Sequence, residues 1–530
     1  MAPNSAYAEP NPKLARSSSS ATCYDRRMAL PECLGQLRQA VDSGRIPRRN
    51  IKLEMRENLM RRLRQKEPLF ADVVGYEDTV IPRIANAILA QHSFVLLGLR
   101  GQAKTRILRS LTTLLDEALP IVPGCQINDD PLAPLCRACR TRVSEEGDGM
   151  AISWLPRERR LVEKLATPDV TIADMIGDVD PIKAARAGLD LSDELTMHFG
   201  LLPRANRGIF AVNELPDLAG KIQVGLFNIL QEGDVQIKGY PIRLPLDVVM
   251  AFTANPEDYT ARGKIVTPLK DRIGSEIRTH YPQTRQAGMT ITSQEAWTTR
   301  NNGQTEASET LIPTYISEII EEVAFVAREH AKIDKRSGVS QRLPISCLET
   351  AVSNAERRAL TSGEPNAVVR IADIYAALPS ITGKFELEYE GELRGADNVA
   401  REVVRKAVER IFDGWFSNVD THAVVEWFDL GGTLELGDTT PAALLLEQTE
   451  HIQGLRELTE HAHVEATAPA PVVAAAVEFV IEGLYAKQRI SRSDEWQYSA
   501  VEVTQHQTTA TEQLFETDIQ IPRSKKKYYN

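Results

Sequence analysis

A glycine-rich segment followed by Lys and Thr is the clearest place in this sequence for chemistry on phosphate. Gly98-Leu99-Arg100-Gly101-Gln102-Ala103-Lys104-Thr105 follows the pattern G-x-x-x-x-G-K-[ST], except that Ala103 stands in place of the second glycine. In such loops, backbone N–H groups and a helix N-terminus bind phosphate oxygens. Lys104 would reach the outer phosphates, and the Thr105 hydroxyl would ligate Mg²⁺. The alternative is an ordinary glycine-rich turn with a solvated lysine.

A second group of polar side chains follows the apolar run Gly-Ile-Phe-Ala-Val at residues 208–212, where Asn213 and Glu214 come next. Nucleotide hydrolases normally carry Asp-Glu here: the Asp holds a Mg²⁺ water, and the Glu orients and deprotonates the attacking water. Glu214 would keep its role. The uncharged Asn213 would hold Mg²⁺ more weakly, or another acid such as Asp217 would share the ion. Alternatively, Glu214 is a surface acid that stabilises a helix start.

A third apolar run, residues 248–252, leads into Thr253-Ala254-Asn255-Pro256. Ligands of open α/β sheets bind at the carboxyl ends of the strands. Asn255 is therefore a candidate to hold the attacking water or the γ-phosphate. Simple turn formation before Pro256 competes with this interpretation.

Three of the six cysteines lie close together along the chain. Cys136-x-x-Cys139 has the spacing of metal ligands, and Cys125 would supply a third thiolate to a structural Zn²⁺ site. A tetrahedral site needs a fourth ligand, which would be Asp129, Asp130 or a distant residue. A single CxxC with an odd partner is not specific, so the sequence favours the alternative of a loop with free thiols.

Over about residues 67–285, the sequence predicts strands that alternate with helices, and these elements must position the groups described above. Continuous apolar runs such as Phe94-Val95-Leu96-Leu97 are typical of buried strands in a parallel sheet that is covered on both faces. After Lys104, a helical stripe follows, made of Ile107, Leu108, Leu111, Leu114 and Leu115. We therefore predict an α/β domain with helices on both sides of a parallel sheet.

Outside this region the apolar pattern is mainly helical. It predicts leader helices over 28–66 (Leu30, Leu34, Leu37, Val41) and a helical domain over 286–415. The second domain has two stripes, which are Ile316, Ile319, Ile320, Val323 and Val326, and Leu348, Val352, Ala355 and Leu360. Residues 1–27 are predicted to be a flexible tail, and 416–530 a partly helical region with a helix over 471–485 and a flexible end.

Composition limits the classes of function. The 530 residues contain 62 Lys+Arg and 73 Asp+Glu, and the net charge of −11 argues against non-specific nucleic-acid binding. The longest apolar stretches are far shorter than the roughly 20 residues of a membrane-spanning helix. Six irregularly spaced cysteines do not make a disulfide framework. We expect a cytoplasmic protein with several domains.

The motifs occur in an order that points to one family. In addition to the segments described above, these motifs include Val73-Val74-Gly75 and the segments 165–169, 176–180 and 200–208. They also include a predicted hairpin over 231–243, which contains Gly233 and Gly239, and the turn Asn255-Pro256-Glu257. Over Phe70 to Pro282, the chain resembles AAA+ ATPases of the magnesium-chelatase I-subunit and MoxR group. The resemblance implies a P-loop AAA+ core over 67–285, an all-α lid domain over 286–415 and a mostly helical C-terminal region.

The resemblance also implies roles for further residues. Val74 and Gly75 would lie near the adenine. Arg272, at the end of Leu269-Lys270-Asp271-Arg272, would be an arginine finger that acts on the ATP of a neighbouring subunit. A surface salt bridge of Arg272 with Asp271 or Glu276 is the alternative.

A second arginine, Arg342 in Ser340-Gln341-Arg342, resembles sensor 2 and would touch the γ-phosphate of its own subunit. Both arginines would supply positive charge where negative charge develops in phosphoryl transfer. A solvated arginine at a helix start is the alternative for Arg342.

Three functions follow as hypotheses. The resemblance implies a homo-oligomeric ring, often of six subunits, in which ATP and Mg²⁺ drive the remodelling or activation of a client or a von Willebrand A-type partner protein. A nucleotide-gated scaffold that hydrolyses ATP poorly because of Asn213 is the alternative. A DNA-remodelling ATPase is the third, and the net charge of −11 argues against it.

Overall fold

A computed structural model describes residues 30–191, 193–236, 243–256, 264–300, 310–465 and 467–501. The tail predicted over 1–27, the flexible end predicted for the last 25 residues, Gly239 and Glu257 lie outside these residues. Contacts group the chain into two compact units, Met1–Trp415 and Phe416–Asn530. Within the described residues, no helix has the length and hydropathy that a membrane span requires.

The first unit is built on a five-stranded sheet in the order β11-β1-β10-β7-β4, and every neighbouring pair is parallel. The strands of this unit are β1 Phe94–Leu97, β2 Ala118–Ile121, β3 Ser153–Pro156, β4 Leu161–Leu165, β5 Gly177–Val179, β6 Met197–Phe199, β7 Gly208–Asn213, β8 Asp234–Gln236, β9 Arg243–Pro245, β10 Val248–Ala254 and β11 Ser275–Arg278. The three predicted strands are thus β1, β7 and β10, and they occupy adjacent positions in the sheet.

The two faces of this sheet are both covered, which explains the continuous apolar runs. Alternate residues point to opposite faces of a strand. In β1, Phe94 and Leu96 belong to one apolar core, whereas Val95 and Leu97 belong to the other. Because a strand that is buried on both sides has no solvent-facing position, its sequence is apolar throughout. It lacks the alternation of apolar and polar residues that a half-exposed strand shows.

Helices cover the sheet, and further helices form the rest of the first unit after β11. They are α1 Leu34–Asp42, α2 Ile51–Gln65, α3 Val80–Leu89, α4 Lys104–Ser110, α5 Arg137–Glu146, α6 Ile172–Met175, α7 Pro181–Ala187, α8 Leu201–Arg204, α9 Gly220–Gly225, α10 Phe227–Gln231, α11 Thr267–Arg272, α12 Arg285–Glu295, α13 Thr314–Glu329, α14 Arg342–Ser362, α15 Ile371–Ala376, α16 Leu378–Thr382, α17 Tyr389–Arg394 and α18 Ala396–Trp415. The predicted fold class, a parallel sheet flanked by helices and followed by a helical region, is confirmed.

Two predicted apolar positions are wrong. Leu30 lies outside α1 and is 40% exposed, and Leu360 in α14 is 83% exposed. The stripe of α14 continues from Ala355 to Ala359, which is buried. A step of four residues stays on one helix face, whereas the step of five to Leu360 leaves it. The stripe predicted in α13 is buried throughout.

The second unit is largely helical, as predicted. It contains α19 His422–Asp429, α20 Ala442–Thr449, α21 Leu455–Leu458, α22 Ala470–Ala486, β12 Leu434–Glu435, β13 Ser491–Arg492 and β14 Gln497–Ser499. The predicted helix over 471–485 is α22, which is buried on almost every side. The strands form a small antiparallel sheet in the order β12-β14-β13.

Candidate nucleotide-binding site

The phosphate-loop segment connects the carboxyl end of β1 to the first turn of α4. Gly101 has a φ of +72° and Ala103 a φ of 54°, so two residues of the loop adopt the left-handed conformation. For an L-residue such as Ala103, this conformation costs roughly 1 kcal/mol. The loop holds this conformation because its ends are fixed by a buried strand and a helix. Such local strain is typical of functional sites.

Lys104 is turned back over the loop. It is buried, and its Nζ donates to the carbonyl oxygens of Gly98 and Leu99 and, at 2.6 Å, to Oδ1 of Asn255. The first residue of α4 is thereby joined to the end of β10, a neighbour of β1 in the sheet. The solvated lysine of the alternative interpretation does not fit a side chain that is only 7% exposed.

Asn213 lies at the end of β7, and its Oδ1 faces two hydroxyls. Thr105 donates to this oxygen at 3.4 Å and Thr253 donates at 3.3 Å. The two donors fix the orientation of the amide, with its oxygen towards the phosphate loop. Asn213 and Thr105 together present a neutral pair of oxygens beside the phosphate loop.

Glu214 is placed beside Asn255. The Asn255 amide donates to Oε2 of Glu214 at 2.8 Å, and Thr253 Oγ1 accepts from the backbone N–H of Glu214 at 3.0 Å. Glu214 has a φ of 57°, a second strained non-glycine residue at this edge of the sheet. A carboxylate that is held by an amide, which in turn accepts from a buried lysine, has the geometry of a candidate general base for water.

A cavity of about 330 Å³ opens in front of this network. Its lining includes Val73, Val74, Tyr76, Gly101, Gln102, Ala103, Lys104, Thr105, Glu214, His280, Pro282, Ile291, Gln341, Arg342 and Ile345. The volume falls in the range of small-molecule sites. The lining combines charged and polar groups with apolar side chains, as a nucleotide with phosphates and a base would require.

Of the two residues predicted to lie near the adenine, Val74 lines the cavity and Gly75 does not. Tyr76 lies there instead, and its hydroxyl donates to the carbonyls of His280 and Gln102. Burial raises the pKa of Tyr76 to about 12, so this hydroxyl stays a donor at neutral pH. The Tyr76 and His280 rings meet edge to face at 4.9 Å.

The helical lid region reaches the phosphate loop through Ser340 and Gln341. A Cβ on Gly101 would lie 2.0 Å from Ser340 Oγ and 2.9 Å from the backbone nitrogen of Gln341. Gln341 in turn donates to the buried carboxylate of Glu321 at 2.8 Å. This network fixes the start of α14, whose first residue, Arg342, lines the cavity.

Six residues predicted for the nucleotide site do not line the cavity, namely Gly75, Gly98, Asn213, Asp217, Asn255 and Arg272. Of these, Asn213 contacts the lining residue Thr105, and Asn255 contacts the lining residues Lys104 and Glu214. Asp217, suggested as a further acid for Mg²⁺, forms part of a 3₁₀ turn beyond Glu214. Arg272 also lies elsewhere: it donates to Gln231 at 3.0 Å and stacks over the ring of Phe227. The salt bridge expected as its alternative is not made with Glu276, which pairs with Lys270 and Arg278 instead.

Thr253 and Tyr76 are among the residues of the site that the sequence did not predict. Thr253 joins Asn213 to the backbone of Glu214, and Tyr76 closes the cavity beside Val74. The residues that they contact come from other parts of the chain, so no motif around Thr253 or Tyr76 indicates a role in the site. Gln102, by contrast, was predicted and is buried, and its Oε1 accepts from Thr279 at 2.7 Å.

The three clustered cysteines meet away from this cavity. Ligand atoms of Cys125, Cys136, Cys139 and Asp129 lie within 4.8 Å of one another. The Cys136 and Cys139 thiols donate to Cys125 and lower the pKa of its thiol. The structure thus selects Asp129 over Asp130 as the fourth member of the cluster.

Comparison with known proteins finds similarity to magnesium-chelatase subunits. The chain is 30% identical over 209 residues to a magnesium-chelatase subunit ChlI homolog of Methanocaldococcus jannaschii, which covers 39% of this chain and 53% of that protein. It is 28% identical over 223 residues to the magnesium-chelatase 38 kDa subunit of Cereibacter sphaeroides, covering 41% and 60%. The chain therefore spans less than two thirds of the length of these relatives.

Among solved structures, a complex of the magnesium-chelatase subunits BchI and BchD matches with a TM-score of 0.32 and 21% identity, over 62% of this chain and 98% of that chain. No protein-family model matches the chain. The assignment rests on the sequence similarity of the first two relatives. The resemblance to AAA+ ATPases of the magnesium-chelatase I-subunit group is confirmed over this core.

Proposed function

We propose that this AAA+ core, similar to that of magnesium-chelatase I subunits, binds ATP with Mg²⁺ and hydrolyses it to drive a change in a partner protein. The observation that carries the proposal is the continuous contact from Lys104 through Asn255 to Glu214 at the carboxyl edge of the sheet. In this contact, the Lys104 ammonium and the Glu214 carboxylate lie on either side of the Asn255 amide. This spacing suits a γ-phosphate and an attacking water.

The roles of the individual side chains follow from their positions. Lys104 and the N–H groups of the loop would bind the phosphates, and Thr105 and Asn213 would hold Mg²⁺ and its waters. Glu214 would take a proton from water as the water oxygen bonds to the γ-phosphorus and the bond to the ADP oxygen breaks. Arg342 would add positive charge from the lid side of the cavity, where negative charge develops.

The ring is also part of this proposal. Arg272 does not line the cavity of its own chain, and a finger that completes the site of the next subunit would explain that placement. We propose a homo-oligomeric ring, of six subunits by analogy with AAA+ proteins, in the cytoplasm. Its partner would be a client protein or a von Willebrand A-type subunit, as a magnesium-chelatase-like motor requires.

One observation favours a second function, that of a nucleotide-gated scaffold. Asn213 offers Mg²⁺ no negative charge, and neither Asn213 nor the nearby acid Asp217 lines the cavity. Weak Mg²⁺ binding would slow hydrolysis but would leave ATP binding to Lys104 and the loop. Such a protein would switch with nucleotide occupancy rather than with turnover.

The variant Glu214→Gln separates the two functions. If the protein is an ATPase, wild-type protein releases phosphate, and Glu214→Gln binds ATP with similar affinity but loses at least about 99% of turnover, since general-base catalysis contributes roughly 10²–10⁴-fold. Asp217→Asn is the matched control, since it removes a neighbouring carboxylate outside the cavity, and it should keep its turnover. Tight ATP binding without turnover in the assembled wild-type protein would overturn the motor and leave the scaffold.

A further inference from the structure

The cysteine cluster lies in the connection between β2 and α5 and has the composition of a metal site. Its four ligand atoms, three sulfurs and one carboxylate oxygen, lie within 4.8 Å of one another. A tetrahedral zinc ion with Zn–S bonds of about 2.3 Å separates its sulfurs by roughly 3.8 Å. The cluster is thus already near the size of a single coordination sphere, and it is too small for a cluster of several irons.

The strongest indication of a ligand is an unsatisfied oxygen. Asp129 is 0% exposed, and its Oδ2 accepts the backbone N–H of Cys136 at 2.9 Å. Its Oδ1 is buried and has no hydrogen-bond partner. A buried carboxylate oxygen without a partner is costly, so native structures rarely leave one. A cation among the three sulfurs would supply the missing partner.

The surrounding backbone is arranged to stabilise negative sulfur. The N–H of Ile127 donates to Sγ of Cys125, and the N–H of Cys139 donates to Sγ of Cys136, both at 3.4 Å. Cys136 is the N-cap of α5, a helix of ten residues, and Cys139 lies in its first turn. The positive end of the helix dipole favours anionic ligands at both positions.

We propose that Cys125, Asp129, Cys136 and Cys139 bind one Zn²⁺ ion as a tetrahedral structural site. Three thiolates and one carboxylate suit the borderline-soft Zn²⁺, whereas Mg²⁺ and Ca²⁺ require oxygen ligands. All four protein ligands occupy the sphere, so the ion has no open position for catalysis. The free-thiol loop that the sequence favoured leaves Asp129 Oδ1 without a partner and is therefore the weaker explanation.

The ion would fix the connecting segment to the core of the first unit. Cys136 and Cys139 belong to the same apolar core as Leu34 and Leu37 of α1. On the other side, Arg137 donates to Asp193 and, through its backbone N–H, to Glu194, in the turn before β6. The site therefore joins the leader helix to the segment that runs towards β7 and Glu214. This proposal is independent of ATP turnover.

Metal content tests the site on the full chain. Protein produced with zinc in the medium and dialysed should contain about one zinc per chain by elemental analysis. Replacement by Co²⁺ should give the thiolate charge-transfer and ligand-field absorption of a tetrahedral site. Removal of the metal by a chelator should lower the melting temperature, because the ion binds only the folded state. Less than about 0.1 zinc per chain, together with no Co²⁺ spectrum after reduction, would overturn the proposal.

Two aspartates provide a matched pair of variants. Asp129→Asn removes the charged ligand and should weaken Zn²⁺ binding at least tenfold in competition with a chromophoric chelator. Asp130→Asn is the control, because it makes the same change at the adjacent residue, whose Oδ1 accepts the N–H of Leu132. This variant should bind Zn²⁺ like wild type. Equal affinities of both variants would exclude Asp129 as a ligand. A disulfide among the three cysteines in unreduced protein, found by mass spectrometry, would also overturn the proposal.

Discussion

Asn213 is the residue at which this site departs most from a strong nucleotide hydrolase. Its amide oxygen occupies the place of a carboxylate and accepts from Thr105 and Thr253. We expect Asn213→Asp to tighten Mg²⁺ binding in the presence of ATP roughly tenfold, equivalent to about 1.4 kcal/mol, because hydrogen bonds from metal-bound waters to a charged acceptor are stronger. The measurement is the Mg²⁺ dependence of phosphate release.

The control for this variant is ATP binding in the presence of EDTA. Without Mg²⁺, the new carboxylate repels the phosphates, so affinity should stay equal or fall. If Asn213→Asp leaves the Mg²⁺ dependence unchanged, the end of β7 does not hold the ion, and the role assigned to Asn213 is wrong.

At the residue scale, the sequence predicts those groups that follow a strand or a motif. Glu214 and Asn255 could be placed because each directly follows a buried strand, and the two strands are adjacent in the sheet. Thr253 could not, because its role depends on the lateral register that brings it beside Asn213. Asp129 and Asp130 are equivalent in sequence, and only burial and the orphaned Oδ1 distinguish them.

At the scale of elements, the approach of the lid region to the phosphate loop depends on Gly101. This residue combines a φ of +72° with a Cβ position 2.9 Å from the backbone of Gln341. We expect Gly101→Ala to weaken ATP binding by at least about tenfold, because both the loop and the start of α14 must move. Isothermal titration with ATP measures the effect.

Gly188 offers a matched control for this change. It has a similar φ of +63°, but nothing lies within 4 Å of its Cβ position. Gly188→Ala introduces backbone strain without a steric clash, so it should lower the free energy of unfolding by roughly 1 kcal/mol. It should leave ATP affinity unchanged. If the two variants bind ATP equally well, the contact between loop and lid is not needed for binding.

Helical regions were predictable from the sequence more reliably than the buried faces of their helices. The stripe of α13 is regular, so all five predicted positions are buried. In α14 the true stripe runs through Ala359, a residue too small to stand out beside the exposed Leu360. The error arises because hydrophobicity alone favours leucine over alanine, whereas helix geometry decides which residue faces the core.

At the scale of the whole molecule, Arg272 is notable because it does not line the cavity of its own chain. Arg272 ends α11 and is held by Gln231 and Phe227, which present it away from the bound nucleotide's expected position. If Arg272 acts on a neighbouring subunit, Arg272→Ala should bind ATP like wild type and lose most of its turnover, since such fingers contribute roughly 10³–10⁵-fold. Arg278→Ala removes a more exposed arginine, ion-paired with Glu276, and should remain active.

Mixing two inactive variants distinguishes action on a neighbour from action within one chain. Arg272→Ala subunits keep Glu214, and Glu214→Gln subunits keep Arg272. In a mixed ring, the nucleotide of the first can meet the arginine of the second, so phosphate release should reappear and peak near equal proportions. Native mass spectrometry would verify that mixed assemblies form. If they form and stay inactive, both residues serve the same subunit, and the ring mechanism for Arg272 fails.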